Sequence, residues 1–325
     1  MPGRRPYRLM VDGVPRCPWS NPDMIRRSLT FRASSGDVLQ STYPRSGSHW
    51  LQFVTQLIVN KGNPITTYNE FTRNYRALEY TDWSDWKPDF PLRLFFTHHQ
   101  LERETMNPAA KYIYMARNPW DVCVSQFHIV TDVSVAQFLD GTFEEFFEAF
   151  IEGDVGYGDY FDHVASGYAL KDEPNVFFLT YEELKKDTRS TVLRLAHFLS
   201  ESYGRALEED EQALQSVLES CKPENMRKVV VFDFQGVDSE EWNGVLTTKS
   251  PISKSGYKGD KTKYAIVQGA TIGSWKEYFT PELLSRLEQK ILKKEDQASF
   301  MHLWSDIRAE AIARCQSPGK TTSLL

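Results

Sequence analysis

Cysteine is scarce in this chain. Its 325 residues contain four, Cys17, Cys123, Cys221 and Cys315, far apart and without a C-x-x-C pair. That spacing suggests neither a disulfide framework nor a zinc site, so reduced thiols, a cytoplasmic setting and no bound metal are expected. Long apolar runs are missing too. None approaches the roughly 18 residues of a membrane span, and Met1-Pro2-Gly3-Arg4-Arg5 opens without the apolar stretch of a secretory signal. There is no excess of positive charge: the formal net charge is -6. Neither nucleic acid nor an anionic membrane is therefore an expected partner, and an anionic ligand would have to be held by local basic groups. No internal repeat or low-complexity linker divides the chain. A hydrophobic content of 41% is enough for a sizeable core, so one domain over 1–325 is expected. Residues 1–30, rich in Pro and Arg, are expected to wrap its surface, and 300–325 to form a C-terminal helix and a flexible tail.

What the chain does have is alternation of short strands and longer helices. Val38 to Tyr43 reads as a strand. Gly47 to Lys61 reads as a helix, with Trp50, Val54, Leu57 and Ile58 at helical spacing and Gly62 placed to end it. Arg93 to His98, Tyr112 to Ala116 and Val176 to Thr180 read as further strands. Asn118-Pro119 is a good helix start, Thr142 and Glu145 form a capping box for a Phe143–Ile151 helix, and Thr280-Pro281-Glu282 opens a helix to about Lys294. The fold class this predicts is α/β: a single domain with a central parallel sheet flanked by helices. Such sheets bind ligands beyond the carboxyl ends of their strands.

Thr42-Tyr43-Pro44-Arg45-Ser46-Gly47-Ser48-His49-Trp50 lies at such an end. Ser46, Gly47 and Ser48 are small enough for backbone N–H groups to turn toward an anion, the following helix adds its dipole, and Arg45 adds a full charge. The loop is P-loop-like, but G-x-x-x-x-G-K-[ST] is absent. Spacing alone fits an ordinary strand–helix turn with an N-capping serine equally well.

The loop closely resembles T-Y-P-K-S-G-T-T-W of the cytosolic sulfotransferases, where it cradles the 5′-phosphosulfate of PAPS (3′-phosphoadenosine-5′-phosphosulfate). The resemblance continues in order. Tyr112-Ile113-Tyr114-Met115-Ala116-Arg117-Asn118-Pro119-Trp120-Asp121-Val122-Cys123-Val124-Ser125 resembles the family's Y-x-x-R-N-x-x-D-x-x-V-S. Tyr157-Gly158 with Phe161-Asp162-His163-Val164 resembles Y-G-S-W-x-x-H-V. Phe178-Leu179-Thr180-Tyr181-Glu182-Glu183-Leu184-Lys185 resembles F-L-x-Y-E-D-L-K, and Gly273-Ser274-Trp275-Lys276 resembles G-D-W-K. Agreement runs from about Phe31 to Phe279.

The resemblance implies a sulfotransferase that moves a sulfuryl group from PAPS to a hydroxyl or amine of a small acceptor, leaving PAP. Such transfer is in line, and catalysis is mainly positioning and charge stabilisation. Arg45 stands where the family has Lys at the leaving phosphate. It keeps the charge but cannot donate a proton at ordinary pH. His98, in Thr97-His98, matches the family's base, and imidazole suits proton removal near neutral pH. His99 competes by residue type, although strand alternation would point the two to opposite faces. Arg117 and Ser125 match the family's 3′-phosphate residues, and Arg45, His98 and Ser125 form the expected catalytic set. Ser46, Gly47, Ser48, His49, Trp50, Tyr181, Cys221, Met226, Gln268 and Gly269 complete the expected donor site, with Trp50 and Tyr181 near the adenine. Trp19, Phe95, Phe96 and His98 are the expected acceptor wall. A phenol or aromatic amine is the first expectation for the acceptor and an aliphatic alcohol the second.

Four positions depart from the family. Phe96 replaces the Lys before T-H. The late R-K-G at the 3′-phosphate becomes Val267-Gln268-Gly269, with Lys261 or Lys263 as possible compensation. The adenine segment T-S-F-x-x-M becomes Cys221-Lys222-Pro223-Glu224-Asn225-Met226, which loses its stacking Phe. The dimer motif K-x-x-x-T-V-x-x-x-E begins with Lys276 and Thr280 but has Pro281 and Ser285 in place of Val and Glu, so family-style dimerisation is doubtful. Two other readings stay open: a nucleotide-dependent kinase, and a non-catalytic PAP- or PAPS-binding relic.

Overall fold

The computed structural model describes residues 4–233, 263–267 and 269–316. Five short runs rich in β-branched and aromatic residues form one sheet. In chain order they are β3 (Asp37–Thr42), β4 (Tyr75–Ala77), β5 (Arg93–Thr97), β6 (Lys111–Ala116) and β7 (Val176–Thr180). Their spatial order is β4-β5-β3-β6-β7, and every pairing is parallel. β3 is central: Leu39 sits between Phe95 and Tyr112, and all six residues of β3 are buried. A strand covered on both faces has no use for polar/apolar alternation, which is why these runs read as nearly continuous apolar sequence.

Helices supply the cover. α2 (Ser48–Val59) follows β3 and packs its buried Leu51, Val54, Leu57 and Ile58 onto the sheet. α4 (Pro119–Asp132) follows β6 and is started by Asn118, whose side chain accepts from the Asp121 N–H. α5 (Phe143–Ile151) has the Thr142–Glu145 capping box that its sequence predicts. α6 (Tyr160–Tyr168), α7 (Tyr181–Lys186), α8 (Thr188–Leu199), α9 (Glu201–Glu209), α10 (Glu211–Ser220) and α11 (Pro223–Val229) follow. α12 (Pro281–Lys294) and α13 (Ser305–Gln316) come last among the described residues. None of the described helices is long and apolar enough to cross a membrane.

The N-terminal segment differs from expectation. It folds into a β1 (Leu9–Val11)/β2 (Val14–Arg16) hairpin and helix α1 (Pro22–Leu29), rather than only wrapping the surface. Val11, Cys17 and Ile25 are buried. The arginines that suggested a solvated arm are paired: Arg5 meets Asp154 at 2.6 Å, and Arg8 bonds the same carboxylate. Tyr7 N–H donates to Ala136 O at 2.7 Å, which lays the arm along the rim of the cavity described next.

Candidate active site

The loops after β3, β5, β6 and β7 meet around a cavity of about 860 Å³ at the carboxyl edge of the sheet. The loop after β3 is its floor. Arg45 has φ 70° and Gly47 φ 103°, so the chain turns twice through left-handed conformations before α2 begins. Strain of this kind concentrates at ligand-holding loops. A Cβ on Gly47 would lie 2.7 Å from Met115 Cε and 2.8 Å from Tyr181 Cδ2, so only glycine fits. No side chain caps α2, unlike α4 and α5, and its first N–H groups stay available to an anion. Ser48 Oγ instead bonds Thr42 Oγ1 at 2.7 Å, tying the helix start to the strand end. Arg45 Nε donates to Ser125 Oγ at 3.0 Å, so the loop and α4 are joined at the cavity wall.

His98 follows β5 and is clamped on three sides. Its Nδ1–H donates to Thr42 O at 2.8 Å, its backbone N–H donates to Glu79 Oε1 at 2.6 Å, and its carbonyl accepts from His163 Nε2–H at 2.9 Å. The bond to Thr42 puts the ring proton on Nδ1 and leaves Nε2 with its lone pair. Burial lowers the His98 pKa. Glu79 and the Thr42 carbonyl oppose that shift, while His99 and Arg45 reinforce it. His163 is neutral, held down to about 3 chiefly by burial, and its Nδ1 accepts from Tyr114 OH at 2.7 Å. His99 turns the other way. Its Nε2 pairs with Ser28 Oγ at 2.7 Å, and it lines a second cavity of about 400 Å³ behind the first. His49 lies on the main cavity wall and makes no hydrogen bond among the described residues; burial and the charges of Arg45 and His98 push it down to about 3.

At the far end Arg117 is almost wholly buried. It donates to Arg45 O at 3.2 Å and Thr271 O at 2.9 Å, and its guanidinium lies 4.5 Å from the centre of the Tyr181 ring. Its Nε has no partner among the described residues. Trp50 meets Tyr181 edge-on at 5.2 Å. Cys221 and Met226 close this end. Asp121 and Glu182, also in the motifs, hold segments together. Asp121 accepts from Gly273 N–H at 2.9 Å, Trp275 N–H at 3.2 Å and Ser274 Oγ at 3.0 Å, which pins the G-S-W-K segment to α4. Glu182 accepts from Asn118 Nδ2 at 2.6 Å and Trp304 Nε1 at 2.8 Å.

The structure thus gathers Arg45, Gly47, Ser48, His49, Trp50, His98, Arg117, Ser125, Tyr181, Cys221, Met226 and Gly269 around one cavity, with Trp19 and Phe96 also lining it and Phe96 against His98. Two expectations are corrected. Phe95 does not face the cavity: strand alternation turns it to the opposite side of β5, against Phe31 at 4.6 Å and Trp86 at 5.5 Å. Ser46 is fully buried behind the wall, and its N–H donates to Tyr43 O at 3.2 Å. Gln268 and Lys261 lie outside the described residues, as does the Lys263 side chain. Sequence reasoning missed Lys185, Arg189 and Lys222 on the cavity lining, and likewise Cys17, Tyr80 and Tyr157. Lys185 was within sight, as the last residue of a quoted motif. Tyr157 OH donates to Cys17 Sγ at 2.6 Å, a link between distant segments that no local pattern signals.

Comparison with known proteins agrees with this geometry. The sulfotransferase domain family model matches residues 35–299. Sulfotransferase 1B1 of Mus musculus is 28% identical over 292 residues, covering 86% of this chain and 89% of that protein. An amine sulfotransferase of Oryctolagus cuniculus is 28% identical over 288 residues, covering 86% and 87%. Among solved structures, mouse sulfotransferase SULT7A1 complexed with PAP superposes with a TM-score of 0.65 at 24% identity, covering 94% of this chain and 97% of that one. With a family model spanning most of its length and the same parallel-sheet fold, this chain belongs to the sulfotransferase family and is a sulfotransferase.

Proposed function

We propose that the chain transfers the sulfuryl group of PAPS to a hydroxyl or amine of a small acceptor, a phenol or aromatic amine first. The observation that carries this reading is the pairing of His98 and Arg45 on one cavity wall, with the lone pair of His98 Nε2 left for a proton. The donor fits the residues present. Gly47 leaves a cradle that a Cβ would fill, and among the described residues no side chain caps α2 and the buried Arg117 Nε has no partner. The mouse relative of similar fold holds PAP.

In this reading His98 Nε2 takes the acceptor proton as the acceptor oxygen or nitrogen forms its bond to sulfur. The sulfur–oxygen bond to the phosphate breaks, and its electron pair stays on the phosphate oxygen. Arg45 stabilises that charge, a role typically worth about 2.7–4 kcal/mol. Thr42 and Glu79 hold His98 in place, and Glu79 offsets the imidazolium as it forms. The apolar wall of Trp19, Phe96, Tyr80 and Tyr157 suits a flat, largely apolar acceptor with one polar end. Phe96 edge-on to His98 at 4.6 Å, where the family has Lys, supports a second reading, a binding protein without turnover. Incubation with sulfur-labelled PAPS and a panel of phenols, catecholamines, aromatic amines, sterols and alcohols separates the two. Label in an acceptor supports transfer. Tight PAP binding with no labelled product across the panel supports the second reading, and turnover that needs magnesium and a nucleoside triphosphate contradicts both.

A further inference from the structure

We infer that Lys185, with Arg227 beside it, supplies the grip on the donor's 3′-phosphate that the uncharged sequence Val267-Gln268-Gly269 does not. This rests on the PAPS reading above. Neither Val267 nor Gly269 carries a charge, and Arg117 is one cation facing a dianion.

The wall of the cavity offers five cations among the described residues: Arg45, Arg117, Lys185, Arg189 and Lys222. Arg45 Nε is committed to Ser125 Oγ at 3.0 Å. Arg189 is held bidentately by Glu211 at 2.8 and 2.7 Å, and Lys222 by Glu219 at 2.5 Å. Lys185 pairs with no carboxylate among the described residues. Its Nζ bonds the Ala270 carbonyl, next to the Thr271 carbonyl that Arg117 holds at 2.9 Å. Arg227 Nε donates to Val267 O at 3.2 Å. Three cations from three elements, the end of β6, the last turn of α7 and α11, therefore reach the carbonyls of Val267, Ala270 and Thr271. Asp121, the carboxylate nearest Arg117 at 3.9 Å, is already taken by the N–H and hydroxyl donors of residues 273–275.

Like charges gathered this way repel one another. Burial and then the charges of Arg117 and Arg227 lower the Lys185 pKa. Backbone carbonyls accept from Arg117 and Lys185 without cancelling their charge. A phosphate monoester does both: it accepts several charge-assisted hydrogen bonds and neutralises the cluster. The carbonyls of Val267, Ala270 and Thr271 serve as a scaffold that holds cations from elsewhere.

Calorimetry on the full chain with PAP and with AMP, which lacks the 3′-phosphate, tests this. Wild type should bind PAP more tightly than AMP. Lys185→Gln should weaken PAP by about tenfold or more, the range for a hydrogen bond to a charged group, and leave AMP within about twofold. Arg227→Gln, at an exposed position of α11, should do the same to a smaller degree. Lys185→Arg should retain most of the preference, and Lys186→Gln, off the cavity wall, should change neither ligand. A wild-type preference for PAP that survives both Lys185→Gln and Arg227→Gln overturns this assignment alone. Equal wild-type affinity for PAP and AMP overturns the donor reading and this assignment with it.

Discussion

Replacing Gly47 by alanine tests the phosphate loop at its tightest point. Two costs add. The backbone at φ 103° is one that a Cβ disfavours, by about 1–2 kcal/mol. The Cβ itself would press on Met115 Cε at 2.7 Å and Tyr181 Cδ2 at 2.8 Å. The methionine tip can swing away at little cost. The tyrosine ring cannot, because Trp50 flanks it at 5.2 Å and the Arg117 guanidinium at 4.5 Å. Overpacking of this kind costs about 1–3 kcal/mol, so the sum is about 2–5 kcal/mol. Unfolding entropy of about 2.1 cal/mol/K per residue makes each kcal/mol worth about 1.5 °C for 325 residues. Gly47→Ala should therefore lower Tm by about 3–7 °C. On the proposed reading, in which Tyr181 lies at the adenine, PAP affinity should fall as well, by about tenfold or more. Gly36→Ala is the control: its φ is +83°, yet nothing lies within 4 Å of the added Cβ. It should lose only about 1.5–3 °C and keep PAP affinity. Thermal unfolding and calorimetry read both. Equal behaviour of the two variants would refute the claim that Tyr181 and Met115 close over Gly47.

Arg45→Ala should slow turnover by about 100-fold or more, from loss of about 2.7–4 kcal/mol at the leaving phosphate, while Arg45→Lys keeps much of the rate; steady-state kinetics decide. The rate should fall with acid only below the ordinary histidine value of 6.5, because His98 must be unprotonated to act and its pKa is lowered. Glu79→Gln removes the charge that raises the His98 pKa while keeping an acceptor for its N–H, so the acid limb should move to still lower pH. An acid limb that stays put, read from the pH dependence of kcat/KM, would mean that the Glu79 charge does not reach the base.

Much of this architecture was legible in the sequence because it follows local rules. Val176–Thr180 and Phe143–Ile151 emerge with the predicted bounds, the second from its own capping box. Asn118-Pro119 starts its helix as the cap chemistry requires. What stayed hidden depends on tertiary context. β4 is three residues long and contains an arginine, and it is a strand only because β5 pairs with it. Arg76 is buried there by stacking at 4.5 Å from the Trp86 ring and donating to the Thr72, Arg73 and Tyr75 carbonyls. Residues 1–30, rich in arginine and proline, read as a segment that wraps the surface, yet Asp154, far along the chain, pairs with two of those arginines. Assigning Phe95 as well as Phe96 to the acceptor wall ignored alternation within one strand. Lys185 stands in a motif matched as a block, and its place on the cavity shows only once α7 is set against the turn near Ala270.

The most direct test of the central claim is single-turnover transfer of labelled sulfur from PAPS to an acceptor found in the panel, with His98→Ala and His99→Ala run side by side and PAP affinity measured in parallel. Loss of a general base typically costs about 10²–10⁴-fold. His98→Ala should show that loss with PAP affinity unchanged, and the loss should shrink for acceptors of low pKa, which arrive partly ionised. His99→Ala, whose ring is turned toward Ser28, should keep the chemical step and alter at most the acceptor KM. A dead His99→Ala beside an active His98→Ala, or full rates in both, would contradict the account.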